Sequence, residues 1–298
     1  MTRSVGGTGR KLPRSDSPTA SRLELGALLR GLRTGRGWTV QHVATRLGFS
    51  ASKVSRLETG MRGASAEDIH DLCELYQVDE ELRVRLADLA AEGKQRPWWQ
   101  PYGLGYTRYQ GLENTATSIE DYGLGVMPGL LQTADYAREV VRGTARADEI
   151  SPADIELMVA GRVLRQRLLE SENAPRYKVV IDEAVLRRVV GSPAVMVAQL
   201  RHLLTASELP SVDIRAVSFD AGSLPSANNK FVILRFDSPE LPTVVFIEAL
   251  HDERYLDRPQ DVKIYTAAFA ALTQMALPPS GTRELIRAIL RYHESRVS

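Results

Sequence analysis

One cysteine, Cys73, stands in the whole chain. It cannot close an internal disulfide, and one thiolate cannot hold a metal alone. Lysine is scarce, six residues against 32 arginines, a bias that reads first as genomic base composition. No run of about 18 apolar residues occurs, so no membrane span is expected. Residues 1–20 lack the apolar stretch of a secretory signal. At 43% hydrophobic and 25% charged residues, the composition excludes collagenous, coiled-coil and wholly disordered chains. The expectation is a cytoplasmic protein.

Catalytic constellations are also missing. His42, His70, His202, His251 and His293 are scattered with no H-x-x-x-H pair, so no zinc ligand set is expected. The glycine-rich stretch 123–129 misses G-x-G-x-x-G and reads as lying between helices, which leaves nucleotide binding without support. Gly6, Gly7 and Gly9 before Arg10-Lys11 have the wrong spacing for a P-loop. Asp182-Glu183 follows an apolar run, where paired carboxylates read as acids at a helix start, stabilised by its dipole. No G-x-S-x-G elbow is present. Neither an enzyme, a cofactor nor a metal site is expected.

What is present is an uneven charge distribution. The formal net charge is +1, yet residues 1–62 hold 12 basic and 3 acidic residues, and the remainder holds 26 and 34. This predicts a basic module for a polyanion joined to an acidic body. Four regions follow: a disordered basic tail (1–20), short helices with glycine turns (21–92), an aromatic, Gly- and Pro-containing connector (93–112) and a larger body (113–298). In the connector, Trp98, Trp99, Tyr102, Tyr106 and Tyr109 cluster within twelve residues. Such a cluster serves either as glue between two domains or as the lining of a ligand pocket.

In the body, periodicity predicts helices over 113–122, 133–142, 151–169, 193–209, 259–277 and 282–295. Apolar β-branched runs predict strands at 177–181, 212–217, 230–236 and 243–248. The predicted fold class is multi-domain: an all-α helix-turn-helix domain followed by an α+β domain with a small antiparallel sheet packed on helices.

The sharpest signal lies at residues 40–60. Thr39 caps a helix Val40–Leu47, and Gly48 supplies the left-handed residue that ends it. Ser50 caps a second helix over 51–59, which Gly60 ends. Val43 and Leu47 face Val54 and Leu57 of the next helix, and Ala44 is small where the two cross. This is the construction of a helix-turn-helix, whose second helix enters the DNA major groove. A core hairpin of an all-α protein would share the geometry, but would not need a second helix presenting Ser52, Lys53, Ser55 and Arg56 outward. Ser52, Ser55 and Arg56 suit base edges, and Ala51 suits a thymine methyl. Gln41, Ser50, Lys53 and Arg62 suit phosphates.

Leu29 to Gly60, through Trp38-Thr39, Leu47-Gly48, Ser50-Ala51-Ser52 and Leu57-Glu58, resembles the Xre/Cro-type helix-turn-helix. That resemblance implies an ion pair between Arg33, late in the first helix, and Glu58, closing the recognition helix. Residues 128–137 (PGLLQTADYA), 162–166 (RVLRQ), 182–187 (DEAVLR), 199–203 (QLRHL) and 261–263 (DVK) resemble the actinobacterial WhiJ-like regulators. This second resemblance implies a transcriptional regulator of development or secondary metabolism, with a small co-encoded partner protein in an antitoxin-like arrangement. Because one helix-turn-helix reads only a few base pairs, a homodimer on an inverted-repeat operator in double-stranded DNA is expected. Two alternatives stay open: a sensor whose body binds a small molecule, and an interaction adaptor that has lost its DNA.

Overall fold

The computed structural model describes residues 17–96, 99–102, 107–143, 150–249 and 252–297. Residues 1–16 of the expected tail lie outside this set, as do Trp98 and Tyr106 of the aromatic cluster. The tail ends sooner than its composition suggests. Ser17 caps α1 (Pro18–Gly35), accepting a hydrogen bond from the Ala20 amide, and Pro18 takes the first helical position, where its missing N–H costs nothing.

Four helices follow: α2 (Val40–Leu47), α3 (Ala51–Glu58), α4 (Ala66–Tyr76) and α5 (Glu80–Glu92). Their starts are written in the sequence. The Thr39, Ser50, Ser65 and Asp79 side chains each accept a backbone N–H of the first turn. Gly48 turns the chain at φ +65°, a left-handed conformation that residues with a Cβ rarely adopt. Leu25 and Leu29 of α1, Val43 and Ala44 of α2, Val54 and Leu57 of α3, and Ile69, Leu72 and Leu86 form one buried core. Each large aliphatic side chain there contributes roughly 1.5–3 kcal/mol by leaving water. Cys73 is buried and free in this core.

After a short 3-10 turn at Gln100–Tyr102, α6 (Thr107–Thr115) leads into a mixed sheet. Its strands are β1 (Ser118–Gly123), β2 (Arg176–Asp182), β3 (Val212–Val217), β4 (Phe231–Arg235), β5 (Val244–Glu248) and β6 (Glu253–Leu256). The spatial order is β3-β2-β1-β4-β5-β6, with β1, β2 and β3 parallel and the other pairings antiparallel. Parallel neighbours need long crossovers. These are α7 (Ala134–Arg142) with α8 (Pro152–Gln166), and α9 (Glu183–Arg187) with α10 (Pro193–Ala206). Two helices, α11 (Pro259–Met275) and α12 (Pro279–Glu294), close the described chain.

Alternation along the strands feeds two cores. Val179, Ile181, Val232 and Leu234 face Leu112 of α6, Leu200 of α10 and Ile286 of α12. Val180, Phe231, Ile233 and Val245 face Phe269 and Leu272 of α11. The molecule thus joins an all-α domain to an α+β domain.

Four expectations need correction. The sheet is half parallel, not wholly antiparallel. Residues 113–122 are not one helix: α6 ends at Thr115 and β1 begins at Ser118, just after Thr117, whose amide donates to the Arg235 carbonyl and whose carbonyl accepts from the Arg176 amide of the neighbouring strands. The glycine-rich stretch from 123 therefore follows a strand. The connector is also shorter than 93–112, since its last residues already belong to α6.

The two domains meet along α1 and α6. Ser17 Oγ donates to the Gly111 carbonyl at 3.1 Å. A Cβ on Gly111 would stand 2.1 Å from Thr19 Cβ, so only glycine permits this approach. Arg85 of α5 pairs with Glu24 of α1 at 2.7 Å and with Glu240, beyond β4, at 3.0 Å.

Candidate nucleic-acid interface

In α3 the side chains separate cleanly. Val54, Leu57 and Glu58 are buried, whereas Ser52, Ser55, Arg56 and Thr59 are exposed. The exposed set has the i, i+3, i+4, i+7 spacing of one helical face. Arg56 Nε donates to the Ser52 carbonyl at 3.2 Å, which lays the guanidinium along this face. Ser50 is exposed at the helix start, its Oγ accepting from the Lys53 amide at 3.1 Å. Ala51 is half-buried beside it. Gln41 is exposed on α2, within 3.5 Å of Thr45 Oγ1, and Arg62 is exposed just past α3. The structure thus gathers Gln41, Ser50, Ser52, Ser55, Arg56 and Arg62 around an accessible helix. Thr45 and Thr59, not singled out from the sequence, are exposed with them.

Lys53 is different. Its ammonium pairs with Asp68 Oδ1 at 2.5 Å and stands 3.3 Å from the centre of the Phe49 ring. Lys53 was expected to point outward as a cation for phosphate; in the structure it is half-buried and paired with Asp68. Asp68 is already ordered by the capping box, donating its amide to Ser65 Oγ and accepting the Ser65 amide, both at 3.0 Å. A fixed, buried carboxylate one short reach away outcompetes solvent. Burial alone would raise the Asp68 pKa, but Lys53 and the Ser65 amide hold it below the usual carboxylate value.

Arg33 meets Glu58 through two parallel hydrogen bonds, Nε to Oε1 at 2.6 Å and Nη2 to Oε2 at 2.8 Å. Its Nη1 donates to the Trp38 carbonyl at 2.8 Å. One guanidinium thus ties α1, the turn before α2 and the end of α3. The hydrogen bond to Glu58 raises the Arg33 pKa despite partial burial.

A helix-turn-helix domain family matches residues 24–86. A second family, described as a domain of unknown function (DUF5753), matches residues 106–288, more than half of the chain. The chain belongs to the DUF5753 family. No curated protein and no solved structure matches it. This member of the family thus carries a DNA-binding helix-turn-helix domain ahead of its DUF5753 domain. Among the described residues no helix is long and apolar enough to cross a membrane.

The DUF5753 domain holds a second polar assembly that the sequence reading passed over. A cavity of about 330 Å³ opens where β1 ends, beneath the loop that follows it. Asp121, Gln132, Arg162, Arg165, Lys230 and Glu248 contribute polar groups, and Met127, Val140, Met158, Phe231 and Phe246 contribute apolar wall. Arg165 is buried and bonded twice to the buried Glu113, at 2.9 and 2.7 Å. Burial opposes the Arg165 charge, yet Glu113 outweighs it and the pKa is raised. Tyr177 donates to Asp121 Oδ2 at 2.9 Å. The β1–β2 register makes this possible, since Ile119 pairs Tyr177 and Asp121 pairs Val179, leaving Tyr177 diagonal to Asp121 on one face. Burial raises the Asp121 pKa to about 6, against the lowering effects of Tyr177 and Lys230.

Of the aromatic connector, Tyr109 lines this cavity, and the turn Gln100–Tyr102 packs against α8 beside the buried Trp99. Asp182 and Glu183 do structural work. Asp182 caps α9 at the Ala184 amide, and Glu183 accepts from the Phe219 amide and from Arg187.

Proposed function

We propose that this protein is a sequence-specific transcriptional regulator that inserts α3 into the DNA major groove. The observation that carries the reading is the polar face Ser52, Ser55, Arg56 and Thr59, set opposite buried anchors that leave the helix one way to sit. On this reading Ser52, Ser55 and Arg56 read base edges and Ala51 meets a thymine methyl, while Gln41, Ser50 and Arg62 hold phosphates. Lys53 is withdrawn from the phosphate set, and its role becomes fixing α3 against α4.

Two copies bind an inverted repeat, because two-fold pairing sets recognition helices about 34–36 Å apart on one DNA face. The resemblance to WhiJ-like regulators supports repression of developmental or secondary-metabolism genes in the cytoplasm. It also supports control through the C-terminal domain by a small co-encoded protein or an effector. Neither catalysis nor a resident cofactor enters this reading.

The test is selection of duplexes from a random pool by the full chain, followed by titration of the enriched site. An inverted repeat bound by a dimer supports the reading. Arg56→Ala should relax preference at one position and weaken binding by about 1–3 kcal/mol, whereas Arg62→Ala should weaken all sequences alike. No enrichment, or unchanged preference in Arg56→Ala, would overturn the groove assignment and favour an adaptor without DNA.

A further inference from the structure

The cavity of the DUF5753 domain sits where ligands bind in open sheets with parallel strands. From β1 the chain runs on to β2 and β3 on one side, while β4 lies on the other, and the cavity opens beyond the carboxyl end of β1 at that switch. Its volume and mostly apolar wall with a few converging polar groups are those of a small-molecule site. The polar groups narrow the ligand class. Arg165 is committed to Glu113, and Lys230 pairs with Glu248. A ligand cation would meet three basic side chains, and a ligand anion would meet Asp121 and Glu248. Asp121 is only 8% exposed; one of its oxygens takes the Tyr177 hydroxyl, and the other has no hydrogen-bond partner among the described residues. An ionised carboxylate can only accept, so the missing partner is a donor.

Helix α6 joins this cavity to the DNA-binding domain. On one side Tyr109 lines the cavity and Glu113 grips Arg165. On the other Gly111 receives Ser17 and Thr19 of α1, and Arg108 Nη1 reaches Met61 Sδ at 3.7 Å, just past α3. Between them Gln110 is buried, with neither amide atom bonded among the described residues.

We propose that the cavity binds an uncharged aromatic or aliphatic molecule whose hydroxyl or N–H donates to Asp121, and that occupancy alters DNA affinity through α6. The second half rests on the DNA-binding reading above; the first does not.

The test uses the full chain and four probes of one shape: naphthol, methoxynaphthalene, naphthoate and naphthylmethylamine. Calorimetry without DNA should show naphthol binding and each of the other three at least tenfold weaker. Asp121→Asn should weaken naphthol about tenfold, and Met158→Trp, which fills the cavity, should abolish it while the unfolding midpoint stays high. Preference for a charged probe, or no binding by any of the four, overturns the site. Titration of the selected duplex with and without saturating naphthol then reads the coupling. A change of fivefold or more supports transmission, and a change under twofold overturns it. Failure to bind any duplex sinks the regulator reading and the coupling together, but leaves the calorimetric result standing.

Discussion

Arg33 in the last turn of α1 clasps Glu58 at the last residue of α3 with a two-pronged bond, both side chains almost out of water at 12% and 6% exposure. A carboxylate at that end faces the negative pole of its own helix, so Glu58 needs a cation there. Removing one partner strands the other. Glu58→Ala should therefore lower the stability of α1–α3 by about 3–5 kcal/mol, read from hydrogen exchange of their amides. Arg33→Lys keeps the charge but loses the planar fork, and should cost less. An Arg33→Met, Glu58→Leu double variant should recover most of the loss. A small cost for Glu58→Ala would mean the pair is solvated in solution.

Lys53 is bound to Asp68 and stacked on Phe49, which separates it from the other cations around α3. Lys53→Met should lower stability by about 1–3 kcal/mol, through partial loss of a buried charge-assisted bond. The Asp68 pKa is depressed in the folded chain, so its contribution is present at neutral pH and is lost as pH falls through the folded value. Lys53→Met should flatten that acid limb. The salt dependence of DNA binding should stay as in the parent, whereas Arg62→Ala should reduce its slope by about one. Equal reduction in both variants would restore Lys53 to the phosphate set.

The contrast between these two residues shows what a sequence can carry. The limits of α2, the left-handed Gly48 and the caps Thr39 and Ser50 depend on neighbours within four positions, so they were legible. The Arg33–Glu58 pair came from family resemblance, since spacing of 25 residues implies nothing by itself. Lys53 was misplaced because its partner comes from α4, which helical periodicity cannot see. In the C-terminal domain, apolar strands β2 to β5 were legible. By contrast, β1 was not, because its centre is Glu120-Asp121, and a buried carboxylate in a strand breaks the pattern that marks one. The same residue that hid the strand marks the cavity. The edge strand β6 was hidden by its charges, Glu253 and Arg254, which suit a sheet edge and disguise it. Arg162 and Arg165 lay in a stretch noted for its helical pattern and its resemblance, with no sign in the sequence that they converge on residues some 30 to 86 positions away.

Asp121 gives the C-terminal domain a pH signature. Its folded pKa, about 6, lies above the ordinary carboxylate value, so the folded state holds a proton more tightly than the unfolded chain. Its contribution is fully present below the unfolded pKa near 4 and is lost as pH rises through 6. The difference amounts to roughly 3 kcal/mol. Urea unfolding of the full chain and of Asp121→Asn should show the variant gaining by about that amount, relative to the parent, between pH 4 and pH 7. A gap that stays constant with pH would show that Asp121 titrates normally, solvated through the cavity mouth.

Gly111 sets how closely α6 lies on α1. The Thr19 Cβ atom occupies the place where a side chain at 111 would begin, and Ser17 holds the carbonyl beside it. The Thr19 Cβ position is fixed by its backbone, so no rotamer change removes the clash. Gly111→Ala must move one helix against the other, at a cost of about 1–3 kcal/mol, the ordinary range for overpacking. The loss should fall on the seam between the domains. Amides at the start of α1 should exchange faster, and small-angle scattering should give a larger radius of gyration, with α3 and the sheet unaffected. Adding Thr19→Gly removes the opposing Cβ and should restore protection, less about 1 kcal/mol for glycine in a helix. If Gly111→Ala keeps both the protection and the dimensions of the parent, the two helices do not touch this closely in solution, and α6 cannot carry a signal from the cavity to the DNA-binding domain.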